Sequence, residues 1–192
     1  MKRLFPIALL LLTTLAFAQA PTRVRGTITA LDGDVMSVKS RDGKDLKIHL
    51  ASDAQVAVTK KASMADFKPG SYVGVTSQKD KDGRLVARRV HALGPQVPQM
   101  HGAWDSMPDS MMTNANLEGS MQVSGGNELT LKYKDGEQKI LVTRETEYFT
   151  FAPGSRADLK PGETIFTTAR DEGGKLVTGR VAVSKDGIKP PQ

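Results

Sequence analysis

Apolar and polar residues alternate with a period of two along most of this chain, and short turn signals break the alternation every few residues. Val24, Gly26, Ile28 and Ala30 alternate with Arg25, Thr27 and Thr29, the pattern of a half-buried strand. Asp32-Gly33 marks a turn, Met36 and Val38 form the next inward set, and Asp42-Gly43 marks a second hairpin turn. Leu46, Ile48 and Leu50 then alternate with Lys47 and His49, which predicts that His49 points outward. A fourth strand is expected through Val56 and Val58, and two more over 72–77 and 85–92. The Arg88-Arg89 pair interrupts the last alternation and predicts a bulge.

The same pattern returns in the second half. Sliding the chain by 93 positions lays Gly26, Gly33, Lys39, Asp42 and Gly43 on Gly119, Gly126, Lys132, Asp135 and Gly136. After one deletion, Lys47, Ile48, Ser63, Asp66, Lys68, Pro69 and Gly70 fall on Lys139, Ile140, Ser155, Asp158, Lys160, Pro161 and Gly162. After another, Leu85, Arg89 and Val90 meet Leu176, Arg180 and Val181. Self-similarity on this scale is the mark of a duplicated unit. Ser63 with Asp66, and Ser155 with Asp158, fit capping boxes that open one helical turn. The Lys-Pro-Gly runs that follow suit type II turns.

About six strands in roughly 70 residues, with no helix to cover a sheet, favour closure into a small barrel that leaves no edge exposed. The expectation is therefore an all-β chain of two tandem six-stranded β-barrels. Its parts are a signal peptide over 1–18, a first repeat over 22–93, a linker over 94–116, a second repeat over 117–185 and a tail over 186–192.

The N-terminus sets the compartment. Lys2 and Arg3 precede an apolar run from Phe5 to Phe17, and Ala16-Phe17-Ala18 supplies small residues for signal peptidase. Cleavage after Ala18 would export a soluble chain to the periplasm, with no later segment apolar enough to span a membrane. The absence of cysteine excludes disulfides, zinc–thiolate sites, thiol nucleophiles and a lipidated N-terminal cysteine. Loss of Lys2 and Arg3 leaves 25 basic against 21 acidic residues, a net of +4. So mild and dispersed a surplus suits an acidic ligand. With three Tyr, six Phe and one Trp, the chain is poorly supplied for stacking bases, and nucleic acid is not an expected partner.

With the repeat laid out, the chain resembles a bacterial family of exported proteins with tandem domains of unknown function, some of them named as metal-transporter components. The residues that carry the resemblance are G-T-I-T-A-L-D-G at 26–33, D-F-K-P-G at 66–70, W-D-S-M-P at 104–108, M-T-N-A at 112–115, D-L-K-P-G at 158–162 and K-D-G-I-K-P-P at 185–191. It implies OB-like small β-barrels and export, and brings no active residue with it.

Candidate chemistry gathers in the expected linker. Met100, His101, Met107, Met111 and Met112 lie there with Trp104, and thioether and imidazole are the soft ligands that suit Cu(I). The plain alternative is that flexible methionines and Trp104 fill an irregular seam between domains. Asp105 and Asp109 follow His101 at spacings that also occur in ordinary turns. No nucleophile elbow, phosphate-binding glycine loop or H-E-x-x-H is present. Three functions follow in order: a non-catalytic binding module for an unidentified protein or acidic ligand, with no cofactor; Cu(I) or soft-metal handling through the five linker residues; and an enzyme of unspecified class. Arg89 with Arg180, Lys39 with Lys132 and Lys68 with Lys160 repeat and offer two equivalent positions for an acidic ligand; the plainer explanation is surface residues retained from the duplication.

Overall fold

The computed structural model describes residues 20–191. The expected signal peptide, residues 1–18, lies outside them. The described chain is all-β, with twelve strands and two single turns of 3-10 helix. The strands are β1 (Thr22–Asp32), β2 (Val35–Ser40), β3 (Asp45–Lys61), β4 (Tyr72–Lys79), β5 (Leu85–Ala92) and β6 (Met100–Trp104). They continue with β7 (Ser110–Val123), β8 (Gly126–Tyr133), β9 (Gly136–Val142), β10 (Glu147–Pro153), β11 (Thr164–Glu172) and β12 (Lys175–Val183).

The local chemistry read from the sequence is present. Asp66 accepts hydrogen bonds from Ser63 N at 2.7 Å and Ser63 Oγ at 2.9 Å, opening the turn at Met64–Asp66. Ser155 and Asp158 repeat the arrangement. Gly70 and Gly162 take φ of 88° and 92°, where any Cβ is strained. The β4–β5 register slips at Arg88, between the pairs Thr76↔Arg89 and Ser77↔Ala87. The counterpart pairing of β11 with β12 slips between Thr167↔Val181 and Arg170↔Val177.

Assembly departs from the tandem expectation. β1, β2, β3, β12 and β11 form a closed five-stranded barrel, with β12 running parallel to β3 to complete it. The barrel thus takes its first three strands from one half of the chain and its last two from the other. The remaining strands curl in the same way: β5, β4, β7, β8 and β9 are paired in that order, and β9 meets β5 again at Val86↔Leu141. Each core mixes the halves accordingly. Val24, Ile28, Met36 and Ile48 pack with Ile165, Val181 and Val183, and Phe67, Val73 and Val90 pack with Leu117, Leu131 and Ile140.

The strand count also has a physical reason. The fourth strand expected through Val56 and Val58 is the continuation of β3, which runs unbroken for 17 residues. Its counterpart through Phe149 and Phe151 is β10, and the two lie antiparallel, joining barrel to curled sheet. Their pairing is symmetric about Thr59↔Phe151, residues 92 apart: Lys61 faces Phe149 on one side as Ala57 faces Pro153 on the other. The turns obey the same two-fold relation. Gly70 N donates to Leu117 O at 2.7 Å, and Gly162 N donates to Ile28 O at 2.9 Å.

That relation corrects one alignment. Beyond its bulge the β7–β8 hairpin has five pairs, Gly119↔Thr130 to Val123↔Gly126, where β1–β2 has three, Ala30↔Ser37 to Asp32↔Val35. The bulges place Ile28 on Leu117, whereas the glycine match placed Gly26 on Gly119. The second hairpin is longer by four residues.

Candidate functional site

The linker expected over 94–116 holds β6 and the first half of β7, paired from Met100↔Asn114 to Trp104↔Ser110. Directly paired residues of an antiparallel ladder share a face, and neighbours along a strand alternate. Met100 and Met112 therefore lie on one face, His101 and Met111 on the other, and Met107 sits in the turn between the strands. Met112 is buried and the other four are half-buried. His101 Nδ1 lies 2.9 Å from Thr113 Oγ1, and its ring lies 5.9 Å from that of Tyr133. Burial holds the His101 pKa below its ordinary value. Among the described residues no group of three or more His, Asp or Glu is placed to hold a metal ion.

The tip of this hairpin clamps the barrel. Arg25, on the outer face of β1, is almost fully buried and donates to both oxygens of Asp105, at 2.8 and 2.9 Å. Arg41 donates to the carbonyls of Asp105 and Ser106. The Arg23 guanidinium stands 4.3 Å from the centre of the Trp104 ring, and that of Arg25 5.0 Å from the centre of Phe166. Burial alone raises the Asp105 pKa, but the hydrogen bonds and charge of Arg25 outweigh it and hold the carboxyl below its usual range. Asp105 thus serves the clamp, and Asp109 lies in the same turn with a positive φ of 53°.

A second histidine, His91, lies on β5. It is fully buried, stacked on Phe149 at 5.0 Å with Phe151 edge-on at 6.2 Å. Its partner across the ladder is Gly74, where a Cβ would stand 2.6 Å from the ring. Burial, with the Arg89 charge adding to it, pushes the His91 pKa down to about 4. The Nδ1 atom has no hydrogen-bond partner among the described residues. His49 is half-buried on β3, opposite Val35 and Val177.

A large concavity lies where β10 joins the two bodies. It is an open groove of about 1440 Å³ whose wall carries Lys61, Arg89, Arg144 and Lys189, with Tyr148 and Met64 among its apolar lining. The long β7–β8 hairpin contributes Gln122, Val123, Gly125, Gly126 and Asn127, and the C-terminal tail contributes Gly187 to Lys189. The tail is tied down by Thr59 Oγ1 donating to Ile188 O at 2.5 Å and by Arg89 donating to Pro190 O at 3.1 Å. Both acids of the groove are already matched: Glu147 to Arg89 at 2.8 Å, and Glu145 to Arg88 at 3.7 Å. Lys61, Arg144 and Lys189 are exposed, and among the described residues none has an ion-pair or hydrogen-bond partner for its side chain.

Sequence reasoning missed this groove because its cations come from four separate elements. The match of Arg89 with Arg180 in the sequence was the one visible signal. Comparison with protein-family models, with curated proteins and with solved structures gives no match. Among the described residues no helix is long and apolar enough to cross a membrane.

Proposed function

We propose that this protein is an exported, non-catalytic binding module that holds an acidic polysaccharide in the groove beside β10. On this reading it works in the periplasm after removal of residues 1–18, and both curled sheets are OB-like barrels of one duplicated domain. The observation that carries the proposal is the set of three unpartnered cations, Lys61, Arg144 and Lys189, in a groove whose two acids are already matched. Cations left without counter-charges attract an anionic chain and focus it into the concavity.

The lining favours a sugar polymer over a compact ligand. Small-molecule pockets enclose on the order of 300–1,000 Å³, and this groove, about 1440 Å³, is larger and open to solvent. Ser63, Gln122, Asn127 and Thr143 supply hydroxyl and amide groups that exchange hydrogen bonds with sugar hydroxyls, and the Tyr148 ring offers a surface for a sugar face.

The test is calorimetric titration of residues 19–192 with polygalacturonate, and with poly-glutamate for comparison. The triple variant Lys61→Gln, Arg144→Gln, Lys189→Gln replaces only exposed side chains. Binding of polygalacturonate that weakens with salt, and falls by about tenfold or more in the triple variant, supports the proposal. Absence of binding, or equal binding by the variant, overturns it. A stronger response to poly-glutamate would overturn the assignment to a saccharide.

A further inference from the structure

The two-fold relation that centres on Thr59↔Phe151 generates a second cleft. Carrying Lys61, Ser63, Glu147 and Tyr148 across it gives Pro153, Ser155, Gln55 and Val56, and Arg89 maps to Arg180 through the β5–β12 equivalence. All five image residues line one smaller cleft of about 480 Å³ on the opposite side of the β3–β10 junction. The backbone registers agree: Arg89 lies opposite Glu147 on β10, and Arg180 lies opposite Gln55 on β3.

The two arginines differ in what holds them. Arg89 is held by the protein itself, through the Glu147 carboxylate at 2.8 Å and the Pro190 carbonyl at 3.1 Å. At Arg180 the acid is replaced by Gln55. The segment after β5, which corresponds to the C-terminal tail, runs elsewhere and is tied by Tyr72 OH donating to Val97 O at 2.7 Å. Among the described residues the Arg180 guanidinium has no partner. The same cleft is lined by Phe151, Pro153 and Val56, together with Arg156, which is held by Asp34 and the Ala51 carbonyl.

We infer that the Arg180 cleft is a second binding site, one that takes a carboxylate attached to an apolar group. The internal Glu147–Arg89 pair is the template for the contact. A ligand carboxylate occupies at Arg180 the place that Glu147 fills at Arg89, and its apolar part lies against Phe151 and Pro153. Guanidinium and carboxylate match as a planar pair with two parallel hydrogen bonds. The site is separate from the groove and does not depend on the saccharide reading.

Two sources of such a carboxylate are a free peptide C-terminus and an acidic side chain. N-acetylphenylalanine, N-acetylglutamate α-amide and N-acetylphenylalaninamide separate them, titrated into residues 19–192 and followed by the amide and guanidinium NMR signals of Gln55, Phe151 and Arg180. Saturable shifts with at least one carboxylate probe, and none with the amide control, are expected. N-acetylphenylalanine binding more tightly indicates a C-terminus, and N-acetylglutamate α-amide an acidic side chain. Gln55→Glu rebuilds the internal pair at an exposed position and should weaken binding about tenfold or more, as should Arg180→Gln. Glu147→Gln should leave it unchanged. Carboxylate and amide probes behaving alike, or Gln55→Glu binding as well as wild type, would overturn the inference.

Discussion

Thr59 and Phe151 face each other across β3 and β10 although they are 92 positions apart and hold the same place in the two halves of the chain. A residue paired with its own counterpart marks a two-fold axis. Around this one, each half keeps its first three strands and sends its last two to the other body. The exchange sets the antiparallel β3–β10 pair at the junction of the two bodies, between the two clefts that flank it.

The clamp at Arg25 is the most exposed point of that arrangement to mutation. Asp105→Ala strips a nearly buried guanidinium of the acid that pairs with it, and the cost of leaving such a group uncompensated exceeds that of a surface pair. Because Asp105 itself is half exposed, at 50% for its side chain, the loss should be about 2 kcal/mol. Urea denaturation checks it. Asp105→Asn, which keeps one acceptor, should lose less.

Two glycines test how closely strands approach within the bodies. A Cβ at Gly26 would run into the Lys39 carbonyl, which is backbone and cannot yield. At Gly74 the obstacle is the His91 ring, a side chain pinned by Phe149. Gly26→Ala should cost about 3 kcal/mol and Gly74→Ala somewhat less, both read from the urea midpoint. The double variant Gly74→Ala, His91→Ala should recover part of the second loss.

His91 gives stability a pH dependence of known sign. Its folded pKa, about 4, lies below its unfolded value of 6.5, so the unfolded chain binds the proton first. Stability from this group is complete above pH 6.5, falls as the pH drops through that value, and levels off near pH 4. The total change amounts to about 3 kcal/mol. Denaturation curves from pH 7.5 to 4.5 should show this slope in the wild type and lose most of it in His91→Gln.

The division of linker residues between two faces bears on metal. With Met100 and Met112 on one side of the hairpin and His101 and Met111 on the other, no more than two of these four share a face. Titration of the reduced, anaerobic chain with Cu(I) against a chromogenic chelator should therefore show no stoichiometric withdrawal of copper. Changing Met100, Met107, Met111 and Met112 to Leu should leave that result unchanged. Tight withdrawal that disappears in the Leu variant would assign the hairpin to metal handling instead.

Much of the local structure was legible in the sequence. The Ser63–Asp66 and Ser155–Asp158 boxes, the glycines of the Lys-Pro-Gly turns and the slip at Arg88 all follow from short-range chemistry and appear where the residues call for them. Partner choice was not legible, for a physical reason. β4–β5 and β11–β12 carry nearly the same apolar pattern, so each hairpin fits the first three strands of either half. Chance glycines hid the four extra residues of the β7–β8 hairpin by aligning Gly26 with Gly119. The burial of His91 was not legible because it comes from Phe149, which is 58 positions away and reaches it through a parallel pairing. The groove escaped notice because its cations belong to separate elements.

The exchange itself is best tested by directed cross-linking, since the chain has no cysteine to interfere. In the exchanged structure Thr27 lies opposite Thr164. In a tandem arrangement it would lie opposite Tyr72, the residue that corresponds to Thr164 in the first half. The account predicts that Thr27→Cys, Thr164→Cys forms a disulfide within one monomeric chain under mild oxidation, while Thr27→Cys, Tyr72→Cys does not. Closure of the second pair alone, or closure of the first only between chains, would contradict it.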